Sequence, residues 1–154
     1  MHFKEVKPTD LPIALLLEAD PSKTCIQSYL ERSLCFAAFE NEQLVGACVT
    51  HSQATDSEET DHTEIFNIAV WPEFQGKGIG TALLKHVIEQ LKKYGYKTVE
   101  LGTGTFGYQL TYYQRLGFRV EGVRKNFFIE HYEEPIYEHG LQHIDMLRLA
   151  LKLR

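Results

Sequence analysis

PEFQGKGIGTALL, residues 72–84, sets three glycines at alternate positions, Gly76, Gly78 and Gly80, and then runs into an apolar repeat. Ile79, Leu83, Val87 and Leu91 recur at the spacing of one helical face, with Leu84 and Ile88 beside them, which predicts a helix from Ile79 that Gly95 closes. The first turn of a helix leaves N–H groups without partners, and with the helix dipole these make a region of partial positive charge. A side chain at any of the three glycines would stand between those groups and a bulky phosphate, whereas glycine lets the backbone make the contact. Lys77 adds a cation. The stretch therefore reads as a phosphate cradle, the alternative being glycines that only make a tight turn from strand to helix.

Other phosphate cradles do not match the letters. GxxxxGK[ST] fails because Gly76-Lys77 is followed by Gly78 and no glycine lies five residues ahead of Gly76. GxGxxG would need glycine at Thr81 or Leu83 and would start directly after the strand. A nucleotide-binding kinase or NTPase thus lacks its lysine-serine pair.

Outward from the motif, TEIFNIAVW is an apolar run that Trp71-Pro72 terminates, a buried strand, and KTVELGT is the next strand, expected parallel to it because a helix crosses back between them. Upstream, HFKEV is extended, residues 10–33 form two short helices broken near Asp20-Pro21, and LCFAAFE and QLVGACVTH form a hairpin about Asn41-Glu42. SQATDSEETD, residues 52–61, reads as a solvated acidic loop. Downstream come a short helix over residues 106–115, FRVEGVRKNFFIEH as a strand or hairpin, and HIDMLRLALK, whose mixed period favours a strand over a helix. The sum is α+β.

The chain of 154 residues, 44% hydrophobic and 24% charged, fits one domain over residues 1–154. Its net charge of -5 disfavours nucleic acid and anionic membrane as partners and suits cationic ones. Cys25, Cys35 and Cys48 are an odd set without CxxC spacing and read as reduced, mostly buried thiols. The apolar patch of residues 11–17 is closed by Glu18 and Asp20, so it is neither a secretion signal nor a membrane span, and a cytoplasmic enzyme or binding protein is expected.

Gln75-x-x-Gly78-x-Gly80, preceded by an apolar strand and a Pro-Glu, and followed by Tyr113-Gln-Arg-Leu-Gly-Phe118, resembles the GNAT superfamily of acyl-CoA-dependent N-acyltransferases. The likeness is closest over residues 64–123 and extends to the order of elements before it. It implies the acyl-CoA N-acyltransferase fold, a mixed and mostly antiparallel sheet of six to seven strands with helices on both faces and a splayed central parallel pair. It also implies acetyl-CoA as co-substrate, no metal, and acetyl transfer to a primary amine. By the same resemblance the backbone of Gln75, Gly76, Lys77, Gly78, Ile79, Gly80 and Thr81 binds the pyrophosphate, while Ile68, Ala69 and Val70 match the strand that pairs with pantetheine. The N–H of Ile68 takes the position of the donor to the thioester carbonyl. Many relatives place asparagine where this chain has Phe106, so the cofactor contact there is apolar or through backbone.

Acetyl transfer needs a neutral amine, a donor for the developing oxyanion and a proton for the leaving thiolate. An amine of pKa ~10.4 lies about three units from its free base at pH 7, roughly 4–5 kcal/mol to be supplied by a base or by desolvation. Glu64 matches the position of the glutamate base in histone-acetylating relatives, acting directly or through a water; a solvent-facing strand-end glutamate is the other reading. Tyr113 matches the general-acid tyrosine, its neighbour Tyr112 pointing about 100° away on a helix. Packing is its alternative. No cysteine falls in a nucleophile setting, so direct transfer in a ternary complex is expected.

IEHYEEPIYEHGLQH gathers acids and aromatic rings that suit a cationic amine, so Glu130 and Tyr132 are candidate contacts for a small basic acceptor; a solvated loop or a homodimer contact reads equally well. His131, His139 and His143 fit no metal spacing. A non-catalytic acyl-CoA sensor or interaction module on the same fold is the alternative to an enzyme.

Overall fold

A computed structural model describes residues 1–51 and 61–154, so the acidic loop at 52–61 lies, apart from Asp61, outside the described residues. The chain divides into two compact units, residues 1–97 with 153–154, and residues 98–152.

In the first unit β1 (His2–Val6) leads through a 3-10 turn at Pro8–Asp10 to α1 (Ile13–Leu16) and α2 (Lys23–Leu30). The break between the helices falls where the sequence predicts, and Ser22 starts α2 by accepting from the Cys25 N–H at 3.1 Å. Three strands follow, β2 (Ser33–Glu40), β3 (Gln43–His51) and β4 (His62–Val70), and then α3 (Ile79–Lys93). β1 pairs antiparallel with β2, β2 with β3 and β3 with β4. Asn41 and Glu42 both take left-handed backbone, φ 50° and 68°, as a two-residue hairpin turn whose twist matches its strands requires.

Cys35, Ala37, Ala47 and Val49 pack with Leu15, Leu16 and Ile26 of the first two helices. Gly46, of opposite parity, faces Leu83 of α3, where an added Cβ would lie 3.6 Å from that side chain. The apolar stripe of α3 is fully buried at Leu83, Leu84, Val87 and Leu91, each worth ~1.5–3 kcal/mol relative to exposure. Gly95, at φ 94°, stops the helix: its N–H reaches Lys92 O at 3.0 Å and that of Tyr96 reaches Leu91 O at 3.1 Å, a Schellman pair. All three cysteines are free thiols. Cys35 and Cys48 are buried, Cys25 partly so. Burial pushes the Cys35 thiol up to about 12, with the Glu5 carboxylate adding to the rise, and raises Cys48 as well.

The second unit runs β5 (Thr98–Gly104), α4 (Tyr108–Arg115), β6 (Arg119–Arg124), α5 (Phe127–His131), the short strands β7 (Tyr137–Glu138) and β8 (Leu141–Gln142), and β9 (Met146–Lys152). β9 lies between β5 and β6 and is antiparallel to both, so the last element is a strand, as its mixed period favours.

Two expectations change here. The helix begins at Tyr108 rather than 106, because Gly107 at φ 106° cannot belong to its first turn. FRVEGVRKNFFIEH is not one strand or hairpin: Asn126 turns left-handed at φ 62°, its N–H held by Asp145 Oδ1 at 2.8 Å, and the chain continues as α5.

Glycines 104 and 107 are required by close approach. The His143 ring fills the place of a Cβ on Gly104, and both Glu138 carboxylate oxygens lie 2.7 Å from that of Gly107. Gly104→Ala is expected to cost about 1–3 kcal/mol of unfolding free energy in a urea titration, since a buried ring must move off its seat. An unchanged midpoint would mean the ring moves freely. Among the described residues no helix is long and apolar enough to cross a membrane.

Candidate active site

β4 supplies the approach to the glycine turn. Ile68, Ala69 and Val70 pair with Cys48, Ala47 and Gly46, and the Trp71 N–H still reaches Val45 O at 3.1 Å before Pro72 ends the ladder. Farther back the register shifts. Asn67 lies opposite Val49 but Ile65 opposite Thr50, so Phe66 is an extra residue and the strand is bulged between Glu64 and Ile68. Glu64 is half-buried on this strand.

Past Pro72–Phe74, a single 3-10 turn, Gln75 is extended and its side-chain amide donates to Val70 O at 2.9 Å. The side chain of Gln75 thus ties the start of the turn to the last strand residue, while its own N–H closes the 3-10 turn on Pro72 O at 3.2 Å. Gly76 and Gly78 sit at φ 77° and 82°, a backbone that residues with a Cβ rarely adopt. Nothing lies within 4 Å of where a Cβ of either would be. Local packing therefore does not demand these two glycines; the backbone path does, and it opens onto unfilled space. Gly80 differs, lying inside α3 with its Cβ position 3.7 Å from Val70.

The N-cap of α3 is Gly78 itself, and no side chain caps the helix. Its first-turn N–H groups therefore get no acceptor from a capping residue, and the positive end of a 15-residue helix faces the exposed Gly76-Lys77-Gly78 turn. The Lys77 ammonium rests 5.4 Å above the Phe74 ring. Backbone amides with no side-chain cap, an adjacent cation and room where side chains would stand fit an anionic diphosphate.

In the second unit Tyr113 is 8% exposed on α4. The helix ends as a Schellman motif: Phe118 N–H to Tyr113 O at 3.1 Å and Gly117 N–H to Gln114 O at 3.1 Å, with Gly117 at φ 103°. The Tyr113 and Phe118 rings meet edge-on at 5.8 Å, the apolar contact that such caps carry. Tyr-x-x-x-Gly-Phe is thus a helix stop as well as a candidate acid. Tyr112 also meets Tyr113 edge-on, at 5.3 Å.

Phe106 stacks on His143 with centroids 4.1 Å apart, and His143 Nε2 bonds Glu138 Oε1 at 2.9 Å. Phe128 lies 5.7 Å from the His143 ring and 6.0 Å from Tyr132, so Phe106 and Tyr132 belong to one row of rings. Glu130 is exposed on α5. His139 at φ 53° and Gly140 at φ 76° make the turn of the β7–β8 hairpin.

Sequence reasoning missed Asn67 and the Glu138–His143 pair. Asn67 had a signal, a lone amide inside the apolar run TEIFNIAVW, since a polar group placed there must be bonded or functional. The Glu138–His143 pair had none, because only folding brings it to Phe106.

The family model for the Acetyltransferase (GNAT) family matches residues 6–118. The uncharacterized N-acetyltransferase YvbK of Bacillus subtilis is 43% identical over 140 residues, 90% of this chain and 87% of that protein. Among solved structures, a GNAT family acetyltransferase from Elizabethkingia anophelis with acetyl-CoA bound superposes with a TM-score of 0.90 at 40% identity, covering 99% of this chain and 97% of that one. An IAA acetyltransferase from Bacillus cereus gives 0.89 at 38% identity and 99% of each chain. These likenesses run nearly end to end, and with the uncapped glycine turn they place this chain in the GNAT family of acetyltransferases, on its acyl-CoA N-acyltransferase fold.

Proposed function

We propose that residues 1–154 act as one catalytic domain that transfers the acetyl group of acetyl-CoA directly to a primary amine of a small cationic acceptor, within a ternary complex. The observation that carries this is the α3 N-terminus, uncapped and entered through two left-handed glycines with open space before them. Main-chain amides of Gln75 to Thr81 would hold the diphosphate, with Lys77 beside them, and Ile68 to Val70 would offer the strand edge to pantetheine. When bound, the coenzyme supplies an acetyl group activated as a thioester.

The chain's own residues supply the rest. The Ile68 N–H donates to the carbonyl oxygen as charge gathers on it, Glu64 takes the ammonium proton directly or through a water, and Tyr113 gives its phenolic proton to the departing sulfur. Direct transfer is supported by the thiols: Cys35 and Cys48 are buried with their pKa values raised, the reverse of what an acyl-accepting cysteine needs. The acidic balance of the chain, 21 Asp and Glu against 16 Lys and Arg, supports a cationic acceptor.

The test is thiol release from acetyl-CoA across polyamines, aminoglycosides, free amino compounds and peptides. At least one should turn over well above background, and Glu64→Gln should then lower kcat/KM at pH 7 by about 10²–10⁴-fold, with the loss shrinking at high pH where the amine is already neutral. Calorimetric binding of coenzyme A with background thiol release throughout would instead support a non-catalytic sensor.

A further inference from the structure

Val70, Ala69, Ile68 and Asn67 of β4 face Gly46, Ala47, Cys48 and Val49 of β3 in unbroken register, and the ladder then slips at Phe66. The Trp71 N–H reaches Val45 O, and main-chain groups alternate in direction along a strand, so those of Ala69 and Asn67 also face β3 while the Ile68 N–H points away from it. Asn67 is thus the last residue that the ladder holds before the bulge. The Ile68 N–H lies in the same rigid peptide plane as the Asn67 carbonyl. At a bulge the ladder is interrupted and no longer sets the twist of the strand, so other contacts must.

Side chains do so here. Phe66 stacks on Tyr29 of α2 at 5.0 Å, and Asn67 Nδ2 donates to Leu16 O at 3.0 Å and to the Tyr29 hydroxyl oxygen at 3.1 Å. Both residues at the bulge are therefore tied to one tyrosine, and Asn67 to the end of α1 as well. Tyr29 is itself fixed, its hydroxyl donating to Asp20 Oδ2 at 3.1 Å while Asp20 Oδ1 accepts the Ser22 N–H at 3.1 Å. Asn67 and Asp20 are 4% and 7% exposed, so these bonds form away from bulk water, where they are strongest.

The partners do not need Asn67. Leu16 O already accepts the N–H groups of Ala19 and Asp20 at 3.1 Å each, and the Tyr29 hydroxyl has Asp20. The oxygen of the amide, by contrast, is buried with no donor among the described residues. An apolar side chain of the same size would suit this interior better. What the amide adds is direction, since two bonds from one planar NH₂ group fix its rotation and, through Cα, the backbone that carries it.

From this geometry we infer that Asn67, backed by Tyr29, is a positioning residue: it sets the peptide plane that carries the Ile68 N–H and so aims that donor at the thioester carbonyl. The inference rests on the role proposed above for Ile68 and adds what holds it. A donor to a developing oxyanion works by being in place before the charge forms, and a misplacement of about 1 Å can lower a rate by ~10²-fold. Burial serves this role, because nothing has to reach the amide for it to act.

Two variants of the full chain test it. Asn67→Leu keeps the volume and removes both bonds, whereas Tyr29→Phe keeps the ring on Phe66 and removes one. Each is loaded with acetyl-CoA carrying carbon-13 at the thioester carbonyl and read by isotope-edited infrared spectroscopy, since a hydrogen bond lowers the frequency of a carbonyl stretch. In wild type the band should lie below that of a thioester free of hydrogen bonds, and it should rise in Asn67→Leu and, by less, in Tyr29→Phe. The melting temperature of Asn67→Leu should hold or rise, with coenzyme A affinity within about twofold of wild type, a combination that loosened packing would not give. For whichever amine turns over, kcat should fall by about 10–100-fold in Asn67→Leu and about 3–10-fold in Tyr29→Phe, with both KM values held. If Asn67→Leu does not fold, Tyr29→Phe decides. An unshifted band in the variant that folds, with kcat unchanged, overturns the inference and leaves the Ile68 donor standing. A wild-type band at the frequency of a free thioester would remove the Ile68 donor, and this role with it.

Discussion

Gly78→Asp is expected to weaken coenzyme A binding by roughly a hundredfold while the protein stays folded. Nothing lies within 4 Å of the Cβ that aspartate would add, and aspartate tolerates the left-handed backbone at φ 82° better than most residues, so the cost to folding should be the backbone strain alone, about 1–2 kcal/mol. Its carboxylate would stand at the mouth of α3, where the diphosphate is proposed to sit. Like charges about 5 Å apart at an effective dielectric near 20 repel by roughly 3 kcal/mol, which corresponds to about two orders of magnitude in affinity. Calorimetry with coenzyme A, beside a thermal melt of the same sample, reads both quantities. Full affinity in a folded Gly78→Asp would place the diphosphate away from this turn.

Tyr113→Phe separates chemistry from architecture. The ring closes the Schellman cap of α4 against Phe118 at 5.8 Å, and phenylalanine keeps that ring while removing only the hydroxyl. Unfolding free energy should fall by no more than about 1.5 kcal/mol, the usual worth of one hydroxyl hydrogen bond. Turnover should fall by about 10²–10⁴-fold, the usual contribution of general acid catalysis, with coenzyme A affinity unchanged. Single-turnover thiol release distinguishes the outcomes. A variant that turns over at the wild-type rate would leave Tyr113 as a capping residue only.

Where the chain's structure is local, the letters carried it. The stripe from Ile79 to Leu91 could be buried only as a helix, and it is buried at Ile79, Leu83, Leu84, Val87 and Leu91, with Ile88 at its edge half-buried. Asn41-Glu42 between two apolar runs marks a hairpin, and the two strands do pair about it, both turn residues taking left-handed backbone. Two-residue strands such as Tyr137–Glu138 and Leu141–Gln142 are too short for any period to register, so the small hairpin was invisible. Asn126 reverses the chain through a carboxylate 19 residues away, Asp145, and no window of local sequence contains that bond.

The site divides the same way. The glycine turn is legible because its chemistry is main-chain chemistry and glycine is its only spelling. Its side-chain supports are less so: the Gln75 amide is tied to Val70 O across the turn, and Asn67 is tied to Leu16 across 51 positions. A motif states which backbone is free. It does not state which side chains hold it in place.

A crystal structure of the full chain grown with coenzyme A tests the central claim most directly. The diphosphate oxygens should lie about 2.7–3.2 Å from backbone nitrogens between Gln75 and Thr81, with the chain path at Gly76 and Gly78 unchanged. A diphosphate held elsewhere, with that turn left facing solvent, would contradict the account.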